Sequence, residues 1–124
     1  MKIALIEPMP LLNKGITLYL QRQNKVSLVK SFENFEQFVL FYADVDNCFF
    51  DLYIINISSM NQDNIERIIS LVSVFFTKND KVVLIVDRQT NIDVNSIDSI
   101  VTFLNLSGDI KVLGDYIGMI SEKC

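Results

Sequence analysis

The sequence has no histidine, and only two of its 124 residues are cysteines and two are prolines. Without an imidazole, most schemes for a metal centre, a nucleophile–base triad or a pH sensor near neutrality lose their usual residue. Cys48 and Cys124 fit no metal-ligand or redox spacing. Reduced thiols in a cytoplasmic protein are therefore expected, and a disulfide is not. No apolar run approaches the ~18 residues of a membrane span. The longest unbroken one extends only from Phe38 to Ala43. Met1 to Ile6 carries one lysine and stops at Glu7, unlike a secretion signal. Basic charge is also short: 11 Lys and Arg stand against 15 Asp and Glu, a net charge of −4, and the basic residues are scattered singly. Neither a direct grip on nucleic acid nor one on an anionic membrane is expected from such a chain.

What the chain has in plenty is apolar surface. Half of its residues are hydrophobic and 21% are charged, which describes a globular chain with a large core and not a disordered one. Its length suits a single domain over 1–124 that buries about two thirds of the surface its unfolded form exposes. The segment Asp51-Leu52-Tyr53-Ile54-Ile55-Asn56-Ile57-Ser58 organises the rest. A nearly all-apolar run of this length reads as a parallel strand covered on both faces. Its carboxyl end, near Asn56 to Ser58, is where open α/β sheets place a functional crevice.

In order, Lys2 to Ile6 reads as the first strand, and Glu7-Pro8-Met9-Pro10 as a loop. Leu11 to Gln23 carries Leu12, Ile16, Tyr19 and Leu20 on one helical face, and a close helix–sheet contact would account for Gly15 inside it. Lys25 to Lys30 reads as an edge-like second strand. Ser31 is a candidate cap for the next helix, with Asn34 in place of the glutamate of a complete capping box. Phe35, Phe38, Val39 and Tyr42 share a face and read as core. Residues 43–50 make a turn into the central strand. Asn61 to Asp63 supplies helix-start chemistry, followed by the stripe Ile65, Ile68, Ile69, Val72 and Phe76. Residues 77–80 form a loop, Val82 to Val86 another buried strand and Asp87 to Thr90 a loop. A weak helix around Ile92 to Ser99, a fifth strand from Ile100 to Leu104 and a final helix over Gly108 to Lys123, weakened by Gly114 and Gly118, complete the chain. Five βα repeats with right-handed crossovers give an α/β fold, a parallel sheet with helices on both faces.

The stretch from Met1 to Leu20, with Glu-Pro-Met-Pro-Leu-Leu-Asn-Lys-Gly-Ile at its centre, resembles the start of receiver domains of two-component response regulators. It is most similar to the LuxR-type branch, whose first strand ends Asp-Asp-His-Pro and runs into a helix containing Gly-Leu. The spacing from Asp51 to Asn56, the third helix and the tail with Gly108 carry the likeness over essentially the whole chain. The resemblance implies a flavodoxin-like, doubly wound, five-stranded parallel sheet of strand order 2-1-3-4-5. Carried over position by position, it also implies a degenerate phosphorylation pocket. The acidic pair that holds Mg²⁺ in the family falls on Glu7 and Pro8, and the phosphoacceptor aspartate on Asn56. The hydroxyl that holds the phosphoryl group falls on Val86, the lysine on Asn105, the proline often following it on Leu106 and the aromatic switch on Thr102. Only Glu7 keeps chemistry of the expected kind.

These losses fit together physically. Two carboxylates ~4 Å apart repel by about 4 kcal/mol at an effective dielectric of roughly 20, which a metal and a lysine offset. With Asn56 in place of the aspartate, a retained lysine would be a poorly paired charge in a partly buried site. Asn105 removes it, and two amides are able to bond each other. Taken singly, without the resemblance, Asn56 reads first as a polar residue closing a buried strand, and Glu7 as a solvated loop carboxylate.

The expected function is that of a pseudo-receiver. It is no enzyme, needs no cofactor or metal, and acts by homodimerisation or by docking to a partner protein in transcription regulation. DNA would be contacted only through a helix-turn-helix domain outside these residues, in a longer regulator. The candidate contact surfaces are the last helix with the fifth strand (Thr102, Leu106, Val112, Tyr116) and the first helix (Leu12, Gly15, Tyr19). Two rivals stay open. One is a flavodoxin-like flavin or nucleotide binder, although Glu7-Pro8-Met9-Pro10 offers no glycine-rich phosphate loop. The other is a receiver with a relocated phosphorylation site at Asp51 or Ser58.

Overall fold

Strand formation follows the runs that have no polar side. Lys2–Ile6 (β1), Leu52–Asn56 (β3) and Val82–Val86 (β4) form the middle of a parallel sheet, flanked by Leu28–Phe32 (β2) and Val101–Asn105 (β5) in the order β2-β1-β3-β4-β5. The computed structural model describes residues 1–43, 49–58, 60–77, 79–87, 101–106 and 108–122. Its helices are Pro10–Gln21 (α1), Phe35–Ala43 (α2), Gln62–Phe75 (α3) and Lys111–Glu122 (α4). This is the flavodoxin-like arrangement implied above. The expected turn around Asp44 to Asn47, both cysteines and the weak helix over Ile92 to Ser99 lie outside the described residues. None of the described helices is long and apolar enough to cross a membrane.

Alternation along the central strands divides the core in two. Ile3, Leu5, Leu52, Ile54, Val83 and Ile85 point to one face, where Ile16 and Leu20 of α1 and Leu113, Ile117 and Ile120 of α4 cover them. Ala4, Ile6, Tyr53, Ile55, Val82 and Leu84 point to the other, under α2 and α3. Because both faces are covered, β3 is buried at every position. The α2–α3 side is aromatic. Phe38, fully buried, lies 5.5 Å from Phe32, 5.6 Å from Phe35 and 5.7 Å from Tyr53 by ring centroids, mostly edge-on, as aromatic quadrupoles favour. The stripe from Phe35 to Tyr42 is therefore core, as its spacing suggests.

Several boundaries differ from the sequence reading. Helix α1 begins at Pro10, where a missing N–H costs nothing because first-turn donors have no helical acceptor. Strand β2 starts at Leu28, not Lys25. Its partner β1 starts at Lys2, and the parallel register runs from Lys2 opposite Leu28 to Ile6 opposite Phe32, so Phe32 reaches the aromatic core. Ser31 consequently lies in the strand and does not cap α2. Asn34 takes that role: its side-chain oxygen accepts the Gln37 N–H at 2.8 Å, while the Gln37 side chain accepts the Glu33 N–H at 3.1 Å. Asn61 caps α3 as expected, accepting the Asn64 N–H at 2.9 Å. The last helix starts at Lys111, since Gly108 sits at φ 79° in the left-handed region and Asp109 accepts the Lys111 N–H at 3.0 Å.

Glycine roles are also redistributed. Gly15 is exposed, with nothing within 4 Å of where a Cβ would stand, so no helix–sheet contact requires it. The close contact is at Gly114, against which the Tyr19 ring of α1 packs. That glycine joins α4 to α1 instead of merely weakening the last helix.

Candidate functional site

The carboxyl ends of the strands open on two cavities, and a buried carboxyl lies at the base of the first strand's loop. Glu7 follows β1, and its backbone N–H donates to the Phe32 carbonyl at 3.0 Å, which ties the loop to β2. The side chain is fully buried. Its Oε1 accepts the Met9 N–H at 3.2 Å, while Oε2 has no hydrogen-bond partner among the described residues. Burial pushes the carboxyl above its ordinary value. The Met9 N–H and the nearby Asn56 side chain oppose that shift without cancelling it.

Asn56 ends β3 at 2% exposure. Its Oδ1 accepts both the Ser58 N–H, at 3.0 Å, and the Ser58 hydroxyl, at 2.6 Å, a turn in which the amide organises the backbone two residues on. The Asn56 oxygen is thus engaged by Ser58 and not by the Asn105 amide with which the sequence allowed it to pair. Asn105 is exposed at the end of β5, in register with Val86 of β4.

A cavity of about 310 Å³ gathers Asn56, Ser58, Val86, Asp87 and Asn105 with Leu106, and Leu12 and Ile16 of α1 form its wall. Three of the positions singled out for the degenerate pocket, Asn56, Val86 and Asn105, thus share one space. Glu7 lies buried beside it. Pro8 is exposed and turns to a second cavity of about 560 Å³ with Met9, Met60 and the first turns of α2 and α3. Thr102 is half-buried opposite Val83 and lines neither cavity.

Asp51 is at the other end of the sheet. Its carboxylate accepts the Lys2 N–H at 2.7 Å and its own N–H donates to the Lys2 carbonyl, where β1 begins. Asp51 is therefore a strand-start clamp remote from the mouth, whereas Ser58 stands in the smaller cavity. Among the described residues, no group of three or more His, Cys, Asp or Glu side chains is placed to hold a metal ion.

One residue essential to this geometry escapes the sequence reading. The Asn13 side-chain amide donates to the Glu7 carbonyl at 3.0 Å and to the Phe32 carbonyl at 3.2 Å, sealing the ends of β1 and β2 from within α1. The available signal was an asparagine, a poor helix former, inside a helical stripe. Of the candidate contact residues, Leu12 is 42% exposed at the cavity wall, Val112 is half-buried, and Tyr19, Leu106 and Tyr116 pack on the α1–α4 core. More exposed apolar side chains lie on the outer face of α1, at Leu11 (85%) and Leu18 (47%).

No protein-family model matches the chain, and no curated protein matches it.

Proposed function

We propose that this chain is a pseudo-receiver, a cytoplasmic binding domain of transcription regulation that signals by dimerising or docking to a partner and without aspartyl phosphorylation. The observation that carries this reading is the state of Asn56. An amide is a poor nucleophile for phosphoryl transfer, and here its oxygen is tied to Ser58 at the base of the pocket. The surroundings fit the same purpose. Val86 brings no hydroxyl and Asn105 no charge, while the carboxyl of Glu7 is buried and drawn toward its neutral form. A receiver phosphorylated at this point would need a second acid and a cation to balance the transferred phosphoryl group. The outer face of α1, with Leu11, Gly15 and Leu18 exposed at one-turn and two-turn spacing, is the contact surface this reading assigns.

The test has two arms. Incubation with acetyl phosphate and Mg²⁺, read by intact mass, is expected to leave the chain unmodified; a stoichiometric phosphoryl adduct refutes the reading. Sedimentation over rising concentration is expected to show association that Leu18→Glu weakens. A strict monomer that also captures no partner counts against it.

A further inference from the structure

The cavity of about 560 Å³ opens between the loop after β1 and the first turns of α2 and α3, on the face of the sheet that those two helices cover. The carboxyl ends of the strands are where an open α/β sheet places its ligands, and the volume suits a small molecule. Phe35 and Ile68, both buried, form its floor, and Met9, Met60 and Pro8 its sides. An aromatic edge and thioethers favour a flat apolar ligand body.

Charge decides what else the ligand carries. Arg67 of α3 is committed to Glu36 of α2 in an ion pair at the rim. Glu33 stands at the same rim, and its carboxylate makes no hydrogen bond or ion pair among the described residues. At each helix start bordering the cavity the cap takes one first-turn N–H, Asn34 that of Gln37 and Asn61 that of Asn64, and a first-turn carboxylate, Glu36 in α2 and Asp63 in α3, already complements the positive helix end. Among the lining residues, two carboxylates face one guanidinium, which leaves one negative charge uncompensated.

We infer that this cavity binds a small aromatic amine, with its ammonium against Glu33 and its ring among Met9, Met60 and Phe35. The inference does not rest on the phosphorylation-free reading: of the positions carried over from the receiver pocket only Pro8 lines this cavity, and it offers no polar side chain.

Titration of the full chain with tryptamine, followed by ¹H–¹⁵N NMR, tests it against indole-3-propionate, which carries the same ring and the opposite charge. Tryptamine is expected to give saturable shifts at the Asn34, Asn61 and Asn64 amides with a Kd on the order of 1 mM, as ligands of this size allow. The acid should bind at least about fivefold more weakly, and Glu33→Gln, at an exposed position, should bring the two within about twofold. No saturation by about 10 mM tryptamine overturns the inference. So does equal binding of amine and acid to the unaltered chain, a shift pattern centred on Asn56 and Asn105, or a preference for the amine that survives Glu33→Gln.

Discussion

Replacing Gly114 by alanine sets two effects of known size against each other. Alanine in a helix interior gains about 1 kcal/mol over glycine. At Gly118, where nothing stands within 4 Å of a new Cβ, that gain should appear unopposed, and the same holds at Gly15. At Gly114 the added methyl would overlap the Tyr19 hydroxyl oxygen, with ring atoms Cζ at 3.1 Å and Cε2 at 3.3 Å behind it. The ring cannot yield at its tip alone, because it is rigid and packed on the α1–α4 core. Overpacking of this kind costs about 1–3 kcal/mol, so Gly114→Ala is expected to range from neutral to about 2 kcal/mol destabilising. Urea denaturation of the four chains made from Gly114→Ala and Tyr19→Leu completes the cycle. Removing the ring should restore the helix gain, a coupling of about 1–3 kcal/mol between residues in contact. Equal gains at Gly114 and Gly118, with coupling under about 0.5 kcal/mol, would refute the packing argument.

Two further perturbations probe the mouth of the sheet. Below pH 4.5, the ordinary carboxyl value, burial of Glu7 costs no charge desolvation. As pH rises from there toward the raised folded-state value, the unfolded chain loses its proton first, so this group's contribution to stability falls across that window and then levels. Subtracting the urea midpoints of Glu7→Gln from those of the unaltered chain between pH 4 and 8 isolates the contribution, and a pH-independent difference would contradict it. For Asn13→Ala, the loss of both strand-end hydrogen bonds costs about 1–3 kcal/mol, offset by up to about 0.7 kcal/mol of helix propensity. A net loss of about 1–2 kcal/mol in thermal or urea unfolding is expected, and a neutral result would show that water replaces the amide without penalty.

The two-faced core and the buried carboxyl show how local patterns and global packing divide the work. Runs such as Val82–Val86 have no polar side, so any fold that accepts them must cover them twice, and a parallel sheet with helices above and below follows. The aromatic stripe of α2 was equally plain, because its spacing admits one apolar face. Boundaries were less legible where a partner strand sets them. Nothing local to Lys25 says that pairing with Lys2 delays β2 until Leu28 and carries it to Phe32. The cap of α2 moved from Ser31 to Asn34 with it.

Residue identity alone determined which groups stand at the positions carried over from the receiver pocket: a carboxylate at Glu7, amides at Asn56 and Asn105, and no hydroxyl at Val86. Those are chemical facts that no packing alters. Only the tertiary structure decided how they are used. It buried Glu7 with one oxygen unmatched among the described residues, set the Asn56 oxygen on Ser58, sent Asp51 to the far end, and set Asn13 across two strand ends. Hydrogen-bond partners and solvent exposure arise between segments distant in the chain, and a linear pattern carries no record of those distances.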